Sequence, residues 1–364
     1  MSKYAIAALS ALLLVAIVGA CSAAAHISSL QPPSLNGYHQ HRAAPLTFHT
    51  VPQPRVQLGI NVDFYAYPGE NVGDIARTDV AYVKRLHANA MSVSFPFFEA
   101  AFNSSMIIPN AATPTPADLT ILASVAEQAG LFFSIRPLLD SGSIGGQSRT
   151  NWAPPRMRLW FANYQRFLLP YAEMAQKALI PELITGAEFT RFQASPYWVQ
   201  LDSSLSAVFN GALAYSNNWY TQPNEPAQAI RSVRELVDAY HPVEVGQGAS
   251  VAQLTAGWDS YLRTLPAGTV LAEVGIAAQP GAYTAPFDVQ WPGRPIVPVI
   301  QSRWFTAACN SAVDVNLGGI YYWPMTFGQS LTVPPDTSNP SAFVDTIGAS
   351  AISACFGRLA GASG

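Results

Sequence analysis

Residues 156–188 read RMRLWFANYQRFLLPYAEMAQKALIPELITGAE. Arg156–Leu179 is an amphipathic stretch with apolar residues at helical spacing, and Glu182–Ala187 is a short apolar run that ends against Glu188. A helix-period segment handing over to a buried run of strand length is the unit of parallel α/β architecture. The same alternation extends in both directions. Candidate strands are Val56–Asn61, Ala90–Phe95, Leu131–Pro137, Glu182–Ala187, Ala212–Ser216, a sixth near Val233–Tyr240, Val270–Val274 and Gly319–Trp323. Amphipathic stretches separate them at Asp74–His87, Pro116–Ala129, Tyr197–Asn210, Val251–Leu265 and Pro298–Ala312, and Ser341–Leu359 follows the last strand. Eight such strands over roughly 310 residues predict a single (β/α)₈ TIM barrel spanning residues 55–364. An open doubly wound sheet commonly carries a glycine-rich phosphate turn after its first strand, and none is present. The run Gly142-Ser143-Ile144-Gly145-Gly146 comes after the third strand and reads as a flexible loop.

Composition narrows the chemistry. The chain has 364 residues, 19 basic and 22 acidic side chains and a net charge of −3. Such a balance excludes a phosphate-tracking, nucleic-acid-binding surface. Only 11% of residues are charged, against roughly 25% in ordinary soluble domains. The 25 glycines and 29 prolines fall short of the roughly 25–30% that marks low-complexity disorder, so a large packed core is expected. Of the histidines, His26, His39, His41 and His49 precede residue 50, leaving His87 and His241 for the folded body. That is too few for a three-histidine zinc site, and no metal or other cofactor is expected.

The N-terminus reads as an address. Lys3 precedes an apolar run, Ala5–Val18, too short to span a bilayer and right for a secretory signal. The tetrapeptide Val18-Gly19-Ala20-Cys21 resembles a bacterial lipobox, in which Cys21 carries lipid; ordinary cleavage near Ala20 to Ala25 is the alternative. The expected organisation is a signal over 1–20, a flexible tether over 21–54 and then the barrel. The product is exported, either anchored as a periplasmic or cell-surface lipoprotein or secreted. A monomer is expected, touching a membrane only through Cys21. Setting Cys21 aside leaves Cys309 and Cys355, an even pair for which a disulfide is the default in an exported protein, with two buried thiols as the alternative.

In a (β/α)₈ barrel the chemistry sits where strands end. The fourth strand closes on Glu188, and the seventh carries Glu273 as Leu271-Ala272-Glu273-Val274. An isolated carboxylate in an apolar setting costs several kcal/mol unless it is paired or used. For Glu188 the purely structural alternative is an ion pair with Arg136 or Arg303. If the two glutamates meet about 5 Å apart, two charges at an effective dielectric near 20 repel by roughly 3 kcal/mol, about two pKa units. One carboxyl then keeps its proton while the other is ionised, as glycoside hydrolysis with retention requires. Asp63, Glu99 and Asp140 near other strand ends read as loop caps, ion-pair partners or ligand contacts.

With those residues in view, the chain resembles the clan A glycoside hydrolases, most closely the family 113 β-mannanase-like group. The likeness runs from about Val56 to Trp323. It rests on Trp160-Phe161-Ala162-Asn163-Tyr164, Tyr171-Ala172-Glu173-Met174-Ala175, Thr185-Gly186-Ala187-Glu188, Tyr215-Ser216-Asn217-Asn218-Trp219, Asp238-Ala239-Tyr240-His241-Pro242, Glu273-Val274-Gly275 and Tyr322-Trp323. The resemblance implies Glu188 as general acid/base and Glu273 as nucleophile. It also implies Tyr240 as the hydroxyl steadying the nucleophile, Trp323 as the floor of the subsite under attack, and Asn218 and Trp219 as contacts at the fifth strand end. Many clan A members carry asparagine before the acid/base, where this chain has Ala187. If Ala229–Tyr240 is wholly helical, the sixth strand becomes Val243–Val245 and Tyr240 loses that role.

Tryptophans add to the picture. Trp160, Trp258 and Trp304 fall in helical stripes, whereas Trp152, Trp219, Trp291 and Trp323 fall in strand ends or loops, where a flat apolar face with a polar edge suits a pyranose. Trp152, Arg136 and Asp140 complete the expected substrate contacts. The function expected is cleavage of a β-linked glycan, β-mannan favoured, by double displacement. The rivals are a non-catalytic glycan-binding barrel and a transglycosylase or trimming enzyme of exopolysaccharide metabolism.

Overall fold

A computed structural model describes residues 46–221, 236–288, 290–334 and 336–361. The signal segment, the lipobox cysteine Cys21 and the tether as far as residue 45 lie outside the described residues. Nine strands lie among the described residues: β1 Gln57–Asp63, β2 Ala90–Glu99, β3 Ile107–Ile108, β4 Phe132–Leu139, β5 Glu182–Ala187, β6 Ala212–Asn218, β7 Leu236–Asp238, β8 Val270–Val274 and β9 Gly319–Thr326. Apart from β3, a two-residue antiparallel addition to β2, they pair in parallel in the order β1-β9-β8-β7-β6-β5-β4-β2. Pairing of β1 with β2 closes the ring into an eight-stranded barrel.

The helices are α1 Val72–Arg85, α2 Pro116–Gln128, α3 Met157–Lys177, α4 Tyr197–Ser206, α5 Val251–Leu262, α6 Pro298–Asp314 and α7 Ile347–Gly361. Helices α2 and α5 start at capping boxes, Thr115 with Asp118 and Ser250 with Gln253, which satisfy first-turn N–H groups. α7 begins six residues later than the amphipathic stretch from Ser341 suggests. Gly142–Ile144 is a single 3₁₀ turn closed by Gly145 at φ +71°, a left-handed cap that suits glycine. Residues 46–54 form neither helix nor strand, yet the His49 N–H donates to Glu127 Oε1 on α2 at 3.1 Å.

Strand alternation splits each strand between two cores. In β1, Leu58, Ile60 and Val62 join the large cluster between barrel and helices. Gln57 and Asn61 face inward: Tyr321 Oη donates to Gln57 Oε1 at 3.0 Å, and Asn61 Nδ2 donates to the Ala272 carbonyl at 3.2 Å. The small interior cluster, Ala90, Phe132, Ile184, Ala214, Leu236, Val270, Ala272 and Tyr321, fills the barrel. Above it the interior turns polar, with Asn61, Ser94, Arg136, Ser216, Asp238 and Glu273 all buried. That polar half is the carboxyl end of the strands.

The sixth barrel strand is β7. Residues 233–235 of the expected Val233–Tyr240 segment lie outside the described residues, and Leu236–Asp238 pairs with β6 and β8, so the alternative at Val243–Val245 does not arise. Cys309 on α6 and Cys355 on α7 are joined by a disulfide.

Candidate active site

Both strands that deliver the glutamates contain a register shift. In β5, Ile184 pairs with Ala214 but Gly186 with Tyr215, leaving Thr185 as an extra residue. In β8, Leu271 pairs with Val237 but Glu273 with Asp238, leaving Ala272 extra. A bulge of this kind re-aims the side chains beyond it, and such bulges gather beside active sites. Gly186 is required here: a Cβ would lie 2.7 Å from the Trp198 ring and 2.9 Å from that of Tyr215. Glu188 itself sits at φ +59°, an uncommon left-handed conformation for a side-chain-bearing residue, with its N–H donating to the Ser216 carbonyl at 3.0 Å. Sparsely populated backbone conformations of this kind concentrate at functional sites.

The two carboxylates have different surroundings. Arg149 Nη2 lies 2.9 Å from Glu188 Oε2, and Asn218 Nδ2 donates to Oε1 at 3.4 Å. Glu273 lies deeper: Arg136 Nη2 is 2.6 Å from its Oε1 and Tyr240 Oη donates to its Oε2 at 2.6 Å. Side-chain exposure is 13% for Glu188 and 4% for Glu273, so the former is the carboxyl within reach of solvent protons. Burial pushes the Glu273 carboxyl above its ordinary range. Arg136 opposes that shift, and the charge of Glu188 adds to it, which places the two acids in one electrostatic neighbourhood. Burial followed by the charge of Glu273 pushes the Tyr240 hydroxyl well above its usual value and keeps it a donor.

Arg136 is fully buried and divides one guanidinium between Glu273 and Asp238, whose Oδ2 is 2.8 Å from Nη2. Ser216 Oγ donates to the other Asp238 oxygen at 2.8 Å. The expected substrate contact at Arg136 is therefore corrected: it lies beneath the nucleophile candidate, turned to carboxylates and closed to solvent. Trp152 is corrected as well. It is 2% exposed, its indole N–H donates to the Phe102 carbonyl at 3.0 Å, and its ring packs against Trp160 and Phe192 in the aromatic core. The ion pair considered for Glu188 forms with neither Arg136 nor Arg303; the latter's guanidinium donates to the Ala249 carbonyl.

Other expected residues sit partly exposed at or beside strand ends. Trp323 is half-buried, and a Cβ built on Gly275 would come within 3.2 Å of both its ring and that of Tyr240, so the two rings converge over the end of β8. Trp219 is half-buried at the end of β6, edge-on to His241 and parallel to Phe287 at 6.4 Å between ring centres. Asp140 accepts from Tyr65 Oη at 2.9 Å and from the Ser143 N–H at 3.1 Å. Sequence reasoning missed Arg149 and gave no role to Asp238 and Ser216, which it quoted only within longer motifs. Arg149 arrives from the loop after β4, tied through Nη1 to the Leu139 carbonyl. Among the described residues no cluster of three or more His, Cys, Asp or Glu could hold a metal, and no helix is long and apolar enough to cross a membrane.

Comparison with known proteins agrees with this fold. A family model described as Glycoside Hydrolase Family 113 matches residues 61–328. A solved GH113 β-1,4-mannanase complex superposes with a TM-score of 0.70 at 15% identity, covering 84% of this chain and 99% of that one. The GH113 β-mannanase of Alicyclobacillus acidocaldarius gives 0.69 at 16% identity, with coverages of 84% and 98%. A family 5 mannosidase from Rhizomucor miehei gives 0.53 at 12% identity, with coverages of 85% and 94%. No curated protein sequence matches.

Proposed function

The chain belongs to glycoside hydrolase family 113 and is a glycosidase, and from that premise we propose that it is a retaining enzyme cleaving β-linked mannan-like glycans by double displacement. One observation carries the mechanism: two glutamates at the ends of β5 and β8 act on each other electrostatically, one partly exposed and one buried against Tyr240 and Arg136. Glu273 is the nucleophile. Its Oε2 accepts from Tyr240 and its Oε1 faces Arg136, which fixes the plane of the carboxylate and favours its ionised form. Glu188 gives its proton to the departing glycosidic oxygen as Glu273 bonds the anomeric carbon. It then takes a proton from the water that releases the sugar from Glu273. Trp323 beneath the ring and Asn218 beside Glu188 position the sugar under attack.

The mannan preference is supported by the β-mannanases of the same family that share this fold. The apolar run before Cys21 supports an enzyme acting outside the cytoplasm on a lipid anchor.

Glu188→Gln is expected to lower kcat on galactomannan or glucomannan by about 10²–10⁴-fold, the size of a lost acid/base step, and Glu273→Gln by at least as much because no glycosyl-enzyme can form, with unchanged far-UV spectra. NMR of fresh wild-type product should show the β anomer first. Initial α product overturns retention, and wild-type rates in either variant overturn the residue roles. A panel in which xylan or cellulose is cut faster than mannan overturns the substrate.

A further inference from the structure

A third carboxylate faces the same cleft and the mechanism above leaves it idle. Asp63 is the last residue of β1, and the alternation that sends Leu58, Ile60 and Val62 toward the helices puts it, like Asn61 below, on the barrel's inner face. It feels the charges of Glu273, Asp140, Arg149 and Arg136, yet no side chain or backbone N–H among the described residues donates to its carboxylate. Burial, then repulsion from Glu273, pushes this carboxyl up to about 7, the mark of an acid whose surroundings do not stabilise its charge. Asp140 differs, since Tyr65 and the Ser143 N–H hold it. A half-buried carboxylate with free lone pairs at the mouth of a glycosidase cleft fits vicinal hydroxyls, which offer two O–H donors at the spacing of its two oxygens.

The strand order says which sugar those hydroxyls belong to. Glu188 on β5 marks the leaving-group side, and Trp323 on β9 lies under the ring being attacked. Around the closed ring β1 is the next strand beyond β9, two strands from β8 and three from β5, so its end lies nearer to Glu273 and Trp323 than to Glu188. We propose that Asp63 binds hydroxyls on the non-reducing side of the cleavage point, accepting two hydrogen bonds from the glycone, with the Tyr65–Asp140 pair as the wall beside it. This rests on the hydrolase reading of the cleft.

The test uses the full chain with Glu188→Gln, so that bound oligosaccharide is not cut, and measures by calorimetry the Kd for mannotetraose, cellotetraose and xylotetraose. Adding Asp63→Ala is expected to weaken the tightest of these by about tenfold or more, as for loss of a charged hydrogen bond, while Asp63→Asn weakens it less. Thermal midpoints of both Asp63 variants should equal or exceed that of the parent, because the carboxylate lacks a folded-state partner and is repelled by Glu273. A purely structural residue would instead lower the midpoint and leave Kd alone. An unchanged Kd in Asp63→Ala overturns this inference by itself. A Glu188→Gln parent that binds none of the three overturns both this inference and the substrate reading.

Discussion

Arg136 has no contact with solvent and is shared by two buried carboxylates, Asp238 and Glu273. One positive charge against two negative ones is a poor stabiliser in a low dielectric, since desolvating the three groups costs several kcal/mol each before attraction is counted. The arrangement makes sense as a device for holding Glu273 in place. Elsewhere a buried acid has no such guanidinium. Glu99 at the end of β2 is 2% exposed and accepts from the Trp160 indole at 2.6 Å. Burial pushes its carboxyl from 4.5 to about 7, against the lowering effect of that hydrogen bond. The folded state therefore keeps a proton that the unfolded chain loses, so stability is full below about 4.5 and falls as pH rises through about 7. Glu99→Gln, which mimics the protonated form, should gain on wild type by up to about 3 kcal/mol between pH 4.5 and 8 in denaturant titrations. A pH-independent difference would refute this. At this scale the sequence was informative where a charge interrupts an apolar run, as at Glu188 and Glu273. It was silent on Arg149, which sits in a polar loop where one more arginine looks ordinary, and it misled at Trp152, whose loop position hides an indole buried by tertiary packing.

The elements that carry the glutamates share a defect in their ladders. Thr185 and Ala272 are each one residue too many for the neighbouring strand, and the Ala272 bulge is pinned by Asn61 Nδ2 on its carbonyl. Neither bulge could be read beforehand, because one extra residue leaves an apolar run looking apolar. The eight strands were legible because burial on both faces writes them as short hydrophobic runs. The sixth was ambiguous because Ile230, Val233, Val237 and Tyr240 also fit a helical stripe; pairing with β6 and β8 decided it. On the outside, the Cys309–Cys355 link ties α6 to α7 across 46 residues. By the loop-entropy argument it contributes about 4 kcal/mol. Replacing both cysteines with alanine should lower the thermal midpoint by about 10 °C, given about 2–4 °C per kcal/mol in a domain of this size, with kcat unchanged at 25 °C. A shift under 2 °C would show that α6 and α7 hold together without it.

For the whole molecule, a compact unit begins at Leu46, and both glutamates, Arg136, Arg149 and Asp238 lie well inside it. A chain starting at Leu46 is expected to retain kcat/KM within about twofold and the full-length thermal midpoint, because both core clusters and the residues that hold the two glutamates all come after that position. Loss of cooperative unfolding in that truncation would mean that residues before 46 contribute to the fold. The barrel class was readable from alternation alone, whereas the sugar it acts on was not, because specificity resides in loops whose side chains obey no periodicity.

The hydrogen bond from Tyr321 to Gln57 joins positions 264 residues apart. A ring that shuts with its last strand against its first cannot be completed while that last strand is still being made, and long-range closures of this sort slow folding. Until residue 326 has emerged the nascent polypeptide lacks its final stave, so an unfinished chain has neither a closed ring nor Trp323 in place. The catalyst comes into being in one late step.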